Sequence, residues 1–180
     1  MNFKALFEIT YGLYIVCSGD KRRGNGFISN TVFQVTSEPA KFAVCCSKNN
    51  FTCEFIEKYA HFSVSVLVKN TEPEIFGRFG FKSGKDFNKL EGMNVKFGMT
   101  GTPIVLNDSL AYLECNVVQK FDVGTHWLFV GELIDAQILD ETNEPLTYSY
   151  YRQIKKGIAP KNAPTYIDKS RLDRKMESSK

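Results

Sequence analysis

The sequence predicts a mostly β protein with short helices, arranged as a small barrel. About six to eight segments rich in β-branched and aromatic residues follow one another at close spacing, with few helical stretches between them. Many short strands of this kind are typical of small antiparallel barrels. A chain of 180 residues is long enough for one substantial core and short for two domains.

The strand signals are spread over the first 140 residues. The second half of the segment 6–18 predicts the first strand, and a charged, glycine-containing hairpin loop at 20–26 leads to the second. Later segments predict a buried apolar strand, an alternating strand and a run of further strands; these are residues 42–46, 62–68, 95–97, 101–106, 111–118, 126–133 and 134–139. A helix is predicted over residues 52–60.

Two segments differ from the rest of the chain. Residues 71–91 predict a short helix followed by a Gly/Ser loop, which is a candidate lid over a site. After Asp140 the composition becomes polar and basic. We therefore predict one domain over residues 1–150, followed by an extended basic arm and a charged, flexible tail over residues 151–180.

Composition excludes several classes of function. The net charge of +3 is too small and too evenly spread to indicate nucleic-acid binding. Five cysteines without a C-x-x-C pair, together with two histidines, argue against a zinc site, a rubredoxin-type iron site, any other metal centre and a disulfide framework. No signal peptide is visible, and the apolar runs are shorter than the roughly 18 residues of a membrane span. A cytoplasmic location without membrane partners is expected.

The segment between the predicted strand 42–46 and the following helix is a candidate phosphate site. Ser47, Lys48, Asn49 and Asn50 end the strand, and the helix starts near Thr52. The first N–H groups of a helix lack partners, the helix dipole favours an anion there, and Lys48 adds a full charge. An ordinary N-capped helix after a polar turn explains the same residues, because this loop lacks the glycines of a P-loop.

His126 is the histidine that merits attention as a functional group. It follows Gly124 and Thr125 at the start of a predicted strand, so it lies at a sheet rim where an imidazole can reach a ligand or a proton path. An exposed structural histidine fits this position equally well. Cys45 and Cys46 are adjacent, but neighbouring strand residues point to opposite faces, which favours packing over a redox pair.

Six segments, taken in order, resemble the flavin reductase-like family of FMN-binding split barrels, which includes flavoredoxins and ferric reductases. They are YGLYIVCS, GFISNTVFQVTSEP, FAVCCSKNNFTCEFIEKYAHFSVSVL, FGFKSGKDFNK, GTPIVLNDSLAYLEC and GTHWLFVGEL. Each is weak alone, whereas the ordered set over about residues 6–140 is specific. The flavin domain of flavoprotein–rubredoxin fusions is the most similar member, and its linker also resembles KKGIAPKNAPTY. Thr125 departs from the pattern, because many relatives have Asp there.

The resemblance implies a Greek-key-like antiparallel split barrel that binds FMN. The residues implied to contact the isoalloxazine ring, largely through backbone groups, are Asn30, Thr31, Val32 and Phe33. The residues implied to surround the phosphate are Ser47, Lys48, Asn49 and Thr52. Phe79 and Gly80 would lie near the edge of the flavin. His126 would lie near its reactive face or near the nicotinamide of a donor.

The function implied by the resemblance is that of an FMN-dependent oxidoreductase. It would take a hydride from NAD(P)H, or electrons from a redox protein, and pass them to flavin, ferric iron or a carrier such as rubredoxin. The alternatives are a non-enzymatic FMN electron carrier that reacts only with redox proteins and a binding module without flavin. Relatives of this family are homodimers with the flavin near the interface, so a homodimer is expected.

Overall fold

Nine strands form the framework of residues 1–172, the part of the chain that the computed structural model describes. Seven of them make one antiparallel sheet, and the other two pair as a separate short hairpin. The strands are β1 (Tyr14–Gly19), β2 (Gly24–Ser29), β3 (Val32–Ser37), β4 (Ala40–Ser47), β5 (His61–Leu67), β6 (Val95–Phe97), β7 (Pro103–Val105), β8 (Ser109–Asp122) and β9 (His126–Ile138). The predicted mostly β fold is confirmed, with one strand more than the upper expectation.

The helices are short, as predicted. A 3₁₀ helix (Phe3–Glu8) precedes α1 (Phe51–Tyr59), and α2 (Pro73–Phe76) continues into a π-helical turn (Gly77–Phe81). Near the C-terminus lie α3 (Tyr148–Gln153) and α4 (Lys169–Leu172). The helix predicted over 52–60 is α1, shifted by one residue at each end. No helix within residues 1–172 combines the length and the apolar character needed to cross a membrane.

The connection between β2 and β3 determines the shape of the sheet. The strand order is β2-β1-β5-β8-β9-β4-β3, so these two strands form opposite edges although only Asn30 and Thr31 join them. Six strand spacings of about 4.8 Å would separate the edges by about 29 Å in a flat sheet. The three Cα steps from Ser29 to Val32 span at most about 11 Å. The sheet must therefore curl into a barrel with a split between β2 and β3.

The long hairpin of β8 and β9 corrects one prediction. Separate strands were expected at 126–133 and 134–139, but these residues form the single strand β9, which pairs with β8 from Asp122↔Trp127 to Ala111↔Ile138. The register shifts between Glu114 and Cys115, where Ile134 of β9 has no partner in β8 and forms a bulge. Such a bulge bends a strand without ending it, so β9 continues through a point where two strands were expected.

The first hairpin is tighter than predicted. The loop expected over residues 20–26 is limited to the turn between Gly19 and Gly24, and residues 24–26 belong to β2. A Cβ on Gly26 would lie 2.5 Å from the Sγ atom of Cys17 and 3.2 Å from the Phe79 ring. Glycine at this position therefore lets the Phe79 ring pack directly on the strand.

Most of the cysteines pack inside the barrel. Cys17, Cys46, Cys53 and Cys115 are buried, Cys45 is half-buried, and all five are free thiols. Because Cys45 and Cys46 are neighbours in β4, they point to opposite faces: Cys46 lies in the barrel core and Cys45 faces away from it. This arrangement agrees with the packing role favoured by the sequence.

Candidate functional site

A cleft with a volume of about 850 Å³ lies beside the split of the barrel. Its walls come from the ends of β2 and β4, the N-terminus of α1 and residues 79–84. Residues 157–168, called the arm below, form the facing wall. The arm lacks regular helix or strand structure, and α3 directly precedes it. The cleft thus lies between the barrel and a segment for which the sequence predicted only an extended conformation.

The N-terminus of α1 forms one end of the cleft. Ser47, Asn49 and Asn50 line this end. The Asn50 side chain caps the helix, since its Oδ1 accepts a hydrogen bond of 3.0 Å from the backbone N–H of Thr52. Thr52 is completely buried, and its hydroxyl accepts a 3.0 Å hydrogen bond from the Asn25 side chain. An ordinary N-cap and a cleft wall therefore coincide at this point.

Lys48 lies at the same end but does not line the cleft. Its ammonium group is 2.7 Å from the carboxylate of Asp122 and lies 4.4 Å from the centre of the Trp127 ring. The lysine and aspartate side chains are 34% and 55% exposed, and exposed ion pairs of this kind contribute only about 0–1 kcal/mol. A bound anion can therefore compete with Asp122 for Lys48 at small cost.

The link between β2 and β3 contains the first group of predicted ring contacts. Asn30 is buried and borders a smaller cavity beside the cleft. Its side-chain N–H donates a 2.7 Å hydrogen bond to the hydroxyl of Thr165 in the arm, whereas its Oδ1 atom is buried without a partner among the described residues. Thr31 and Val32 are half-buried, and Phe33 is 52% exposed on the edge strand β3. None of these three lines the cleft within this chain.

Phe79 and Gly80 lie in the cleft wall, on the π-helical turn. A buried lysine that the sequence interpretation did not select, Lys89, holds this turn against β2. Its ammonium group donates to the carbonyls of Gly26 and Phe79 at 3.0 and 3.2 Å. Burial lowers the pKa of Lys89 to about 8, an effect that the nearby Cys17 thiol partly opposes. Lys89 is the last residue of the segment FGFKSGKDFNK, and its place in that segment was the one signal in the sequence that could have selected it.

His126 contacts the arm. Its Nδ1 atom is 2.8 Å from the Thr125 hydroxyl, and its Nε2 atom is 3.1 Å from the backbone carbonyl oxygen of Asn162. Because a carbonyl oxygen only accepts hydrogen bonds, Nε2 carries the proton and Nδ1 accepts from Thr125. His126 itself does not line the cleft.

The charges and surfaces of the cleft fit a flavin. Within residues 1–172, four basic residues and one acidic residue line it: Lys82, Lys89, Arg152, Lys161 and Asp168. Such an excess of positive charge attracts a phosphate. The walls also offer the apolar surfaces of Phe27 and Phe79, and unpartnered buried polar atoms belong to Asn30, beside the cleft, and to Arg152 in its wall. A flat ring with polar edges and an anionic tail matches this combination.

Comparison with known proteins agrees with the geometry of the cleft. The family model described as "Flavin reductase like domain" matches residues 6–155.

The chain belongs to the flavin reductase-like family.

Two relatives share 45% sequence identity with this family member. One is the ferric-chelate reductase (NAD(P)H) of Archaeoglobus fulgidus, aligned over 93% of this chain and 99% of the relative. The other is the high molecular weight rubredoxin of Moorella thermoacetica, aligned over 92% of this chain and 72% of the relative. The crystal structure of flavoredoxin from Methanosarcina acetivorans is similar, with a TM-score of 0.67, 25% identity and coverage of 73% of this chain and 70% of that one.

Several predictions from the sequence are thereby confirmed. The chain is a flavin-dependent reductase with a split-barrel fold, and its cofactor is a flavin. The individual flavin contacts and the boundary at residue 150 stay predictions, and part of the predicted tail, 173–180, lies outside the described residues.

The assignment of the phosphate end can be tested with two alanine variants. Lys48→Ala and Thr52→Ala are each expected to weaken FMN affinity by about 1–3 kcal/mol, because each removes a donor to a charged group. The dissociation constant is measured from quenching of FMN fluorescence on titration with the apoprotein. Lys58→Ala, an exposed lysine near the other end of α1, is the control. Unchanged affinity in both variants would contradict the assignment.

The burial of Lys89 predicts a pH-dependent stability. Its pKa is about 8 in the folded chain and 10.5 ordinarily, so between these values the unfolded chain binds more protons. The free energy of unfolding must then rise with pH across this window, by up to about 3 kcal/mol. Urea unfolding at pH 7 to 10 should show this rise in the native protein but not in Lys89→Met. If the difference between the two proteins does not change with pH, the lysine titrates normally.

Proposed function

We propose that this protein binds FMN in the cleft and transfers a hydride from NAD(P)H to it, the electrons then passing to a ferric chelate or an electron carrier. The observation that carries the proposal is the cleft itself, with a helix N-terminus and basic side chains beside apolar walls. FMN supplies the hydride and electron chemistry, while the protein binds and orients the reactants. The relative from Archaeoglobus fulgidus, named as an NAD(P)H ferric-chelate reductase, supports this donor and this acceptor.

We place the FMN phosphate at Ser47, Asn49 and Thr52, with Lys48 turning toward it from Asp122. The ring then extends toward Asn30 and the π-helical turn at Phe79 and Gly80. The unpartnered Oδ1 atom of Asn30 is an acceptor suited to an N–H group of the ring. The backbone groups of Thr31, Val32 and Phe33 complete the proposed ring contacts. The flat side chain of Phe79 supplies an apolar wall.

His126 is proposed to act at the donor side of the flavin. Its protonated Nε2 bonds to Asn162 in the arm, so the imidazole meets a nicotinamide only when this bond opens. Thr125 keeps the imidazole in one orientation through Nδ1. In this arrangement His126 orients the arm and the donor, and the arm limits access of water to the cleft.

A second candidate function is FMN-mediated electron transfer between redox proteins, without reduction by a pyridine nucleotide. The high molecular weight rubredoxin of Moorella thermoacetica and the flavoredoxin of Methanosarcina acetivorans support it, because their names indicate electron carriers. A rubredoxin-like protein is then the proposed electron acceptor. The two candidates differ in whether a pyridine nucleotide reduces the flavin directly.

Rapid mixing of the FMN-loaded protein with NADH or NADPH separates these functions. We expect the visible absorbance of the oxidised flavin to disappear when the nucleotide is added. The absorbance should return when ferric citrate or oxidised rubredoxin reoxidises the flavin. A protein that binds FMN, stays oxidised with both nucleotides and is reduced by a redox protein is a carrier. Apoprotein that leaves the spectrum and fluorescence of added FMN unchanged would contradict both functions.

We also propose that the protein is a homodimer. Exposed apolar side chains lie on the edge strand β3 and on the half of the β8–β9 hairpin nearest its turn, with β4 between the two: Phe33, Val35, Val118, Phe121 and Val123. Apolar groups concentrated on one surface are typical of subunit interfaces. Such an interface would bring Phe33, which lies outside the cleft in one chain, close to a partner subunit.

The dimer can be tested by placing a charge on this surface. Phe121→Asp should convert the dimer to a monomer, because an unpaired carboxylate would be buried at the interface. Sedimentation velocity measures the mass of the native and variant proteins. Ile138→Asp, at the opposite end of the same hairpin and 65% exposed, is the control and should stay dimeric. A monomeric native protein contradicts the proposal.

A further inference from the structure

Arg152 is a second basic centre in the wall of the cleft, separate from the proposed phosphate end. It belongs to α3, and its guanidinium carbon lies 3.6 Å from the centre of the Phe7 ring and 5.8 Å from that of Tyr148. Within residues 1–172 no hydrogen bond or ion pair joins it to residues 47–52. The N-terminus of α1 and Arg152 are therefore two candidate anion-binding groups, built by different parts of the chain.

The guanidinium group of Arg152 is incompletely satisfied. Its Nη1 atom is buried and has no hydrogen-bond partner among the described residues. A buried donor without a partner is unfavourable and rare in native structures, which suggests that a ligand completes it. Asp168 is the one acidic residue among the described residues that lines the cleft, and its carboxylate already accepts hydrogen bonds from the backbone N–H and hydroxyl of Ser170.

The chemistry of this site suits a phosphate. A guanidinium group offers a planar set of donors that bind two phosphate oxygens at once, and stacking on an aromatic ring fixes its plane. FMN has a single phosphate, for which the N-terminus of α1 is already proposed. An NAD(P)H donor has additional phosphates that need a partner in the same cleft.

We infer that Arg152, stacked on Phe7, binds a phosphate group of the pyridine nucleotide donor. The inference rests on the proposed function, because it requires a nucleotide beside FMN in the cleft. Lys161, in the arm, adds positive charge to the same wall. Arg152 is thus assigned to affinity for the donor and not to affinity for FMN.

Binding of oxidised nucleotides tests the assignment without turnover. NAD⁺ and NADP⁺ are titrated into the FMN-loaded protein and followed by calorimetry, while FMN affinity is measured on the apoprotein. Arg152→Met should raise the dissociation constants of one or both nucleotides by about ten- to hundred-fold, since charge-assisted hydrogen bonds are lost. Arg152→Lys, which keeps the charge without the planar donor set, should recover part of the loss. FMN affinity should stay within about twofold of the native value, which also shows that the variant is folded.

Lys156→Met is the matched control, because it removes an exposed charge four residues away that does not line the cleft. It should bind both nucleotides like the native protein. The assignment is overturned if Arg152→Met binds nucleotides normally, or if it loses FMN as strongly as it loses nucleotide. If either of these two results is found while NADPH still reduces the native protein, the proposed function stands and only the role of Arg152 is excluded. If the native FMN-loaded protein neither binds nor is reduced by either nucleotide, the proposed donor fails as well.

Discussion

The two-residue link between β2 and β3 is the constraint on which the rest of the structure depends. Because it joins the two edges of a seven-stranded sheet, the sheet must curl, yet β2 and β3 do not pair with each other. The polar backbone and side-chain groups at the split therefore form no hydrogen bonds of a β2–β3 ladder. The carbonyl of Thr31 accepts a hydrogen bond from Cys45 in β4, whereas the Oδ1 atom of Asn30 is left without a partner. The same closure that forms the barrel thus leaves polar groups available beside the cleft.

Lys89 stabilises the second wall of the cleft at an electrostatic cost. A buried ammonium group is unfavourable unless it is hydrogen-bonded. Here one carbonyl of β2 and one of the π-helical turn accept hydrogen bonds from two of its three N–H groups. These bonds connect Gly26 with Phe79, the ring that packs where Gly26 lacks a side chain. The pKa of Lys89 is lowered because these two hydrogen bonds do not fully offset the loss of hydration on burial. An apolar residue at this position would leave both carbonyls without this donor.

The parts of the fold that the sequence predicted depend on local signals. The helix at 52–60 has a polar capping residue, and the strand at 62–68 alternates with period two, so both were located to within about a residue. The continuity of β9 depends on its pairing with β8 on both sides of the bulge at Ile134, and the position of Lys48 depends on Asp122, 74 residues away. Lys89 was missed for the same reason, since its burial follows from contacts 10 and 63 residues away. Periodicity carries no information about such partners.

The arm connects these features to function. Among the described residues, four hydrogen bonds join the arm to the body: Asn30 donates to Thr165, His126 to Asn162, the Tyr151 hydroxyl to Ile158, and the Gly157 N–H to the Tyr151 carbonyl. Pro160 and Pro164 remove two backbone donors. The N–H groups of Ala163 and Tyr166 donate within the arm, to the carbonyls of Pro160 and Ala163, so the arm forms turns and not a strand ladder with the barrel. A segment held by a few contacts opens at a lower free energy than a paired strand. We therefore expect the arm, which forms one wall of the cleft, to open more readily than the barrel. Asn30 and His126, which are predicted to meet the flavin and its donor, are two of the residues that bind the arm.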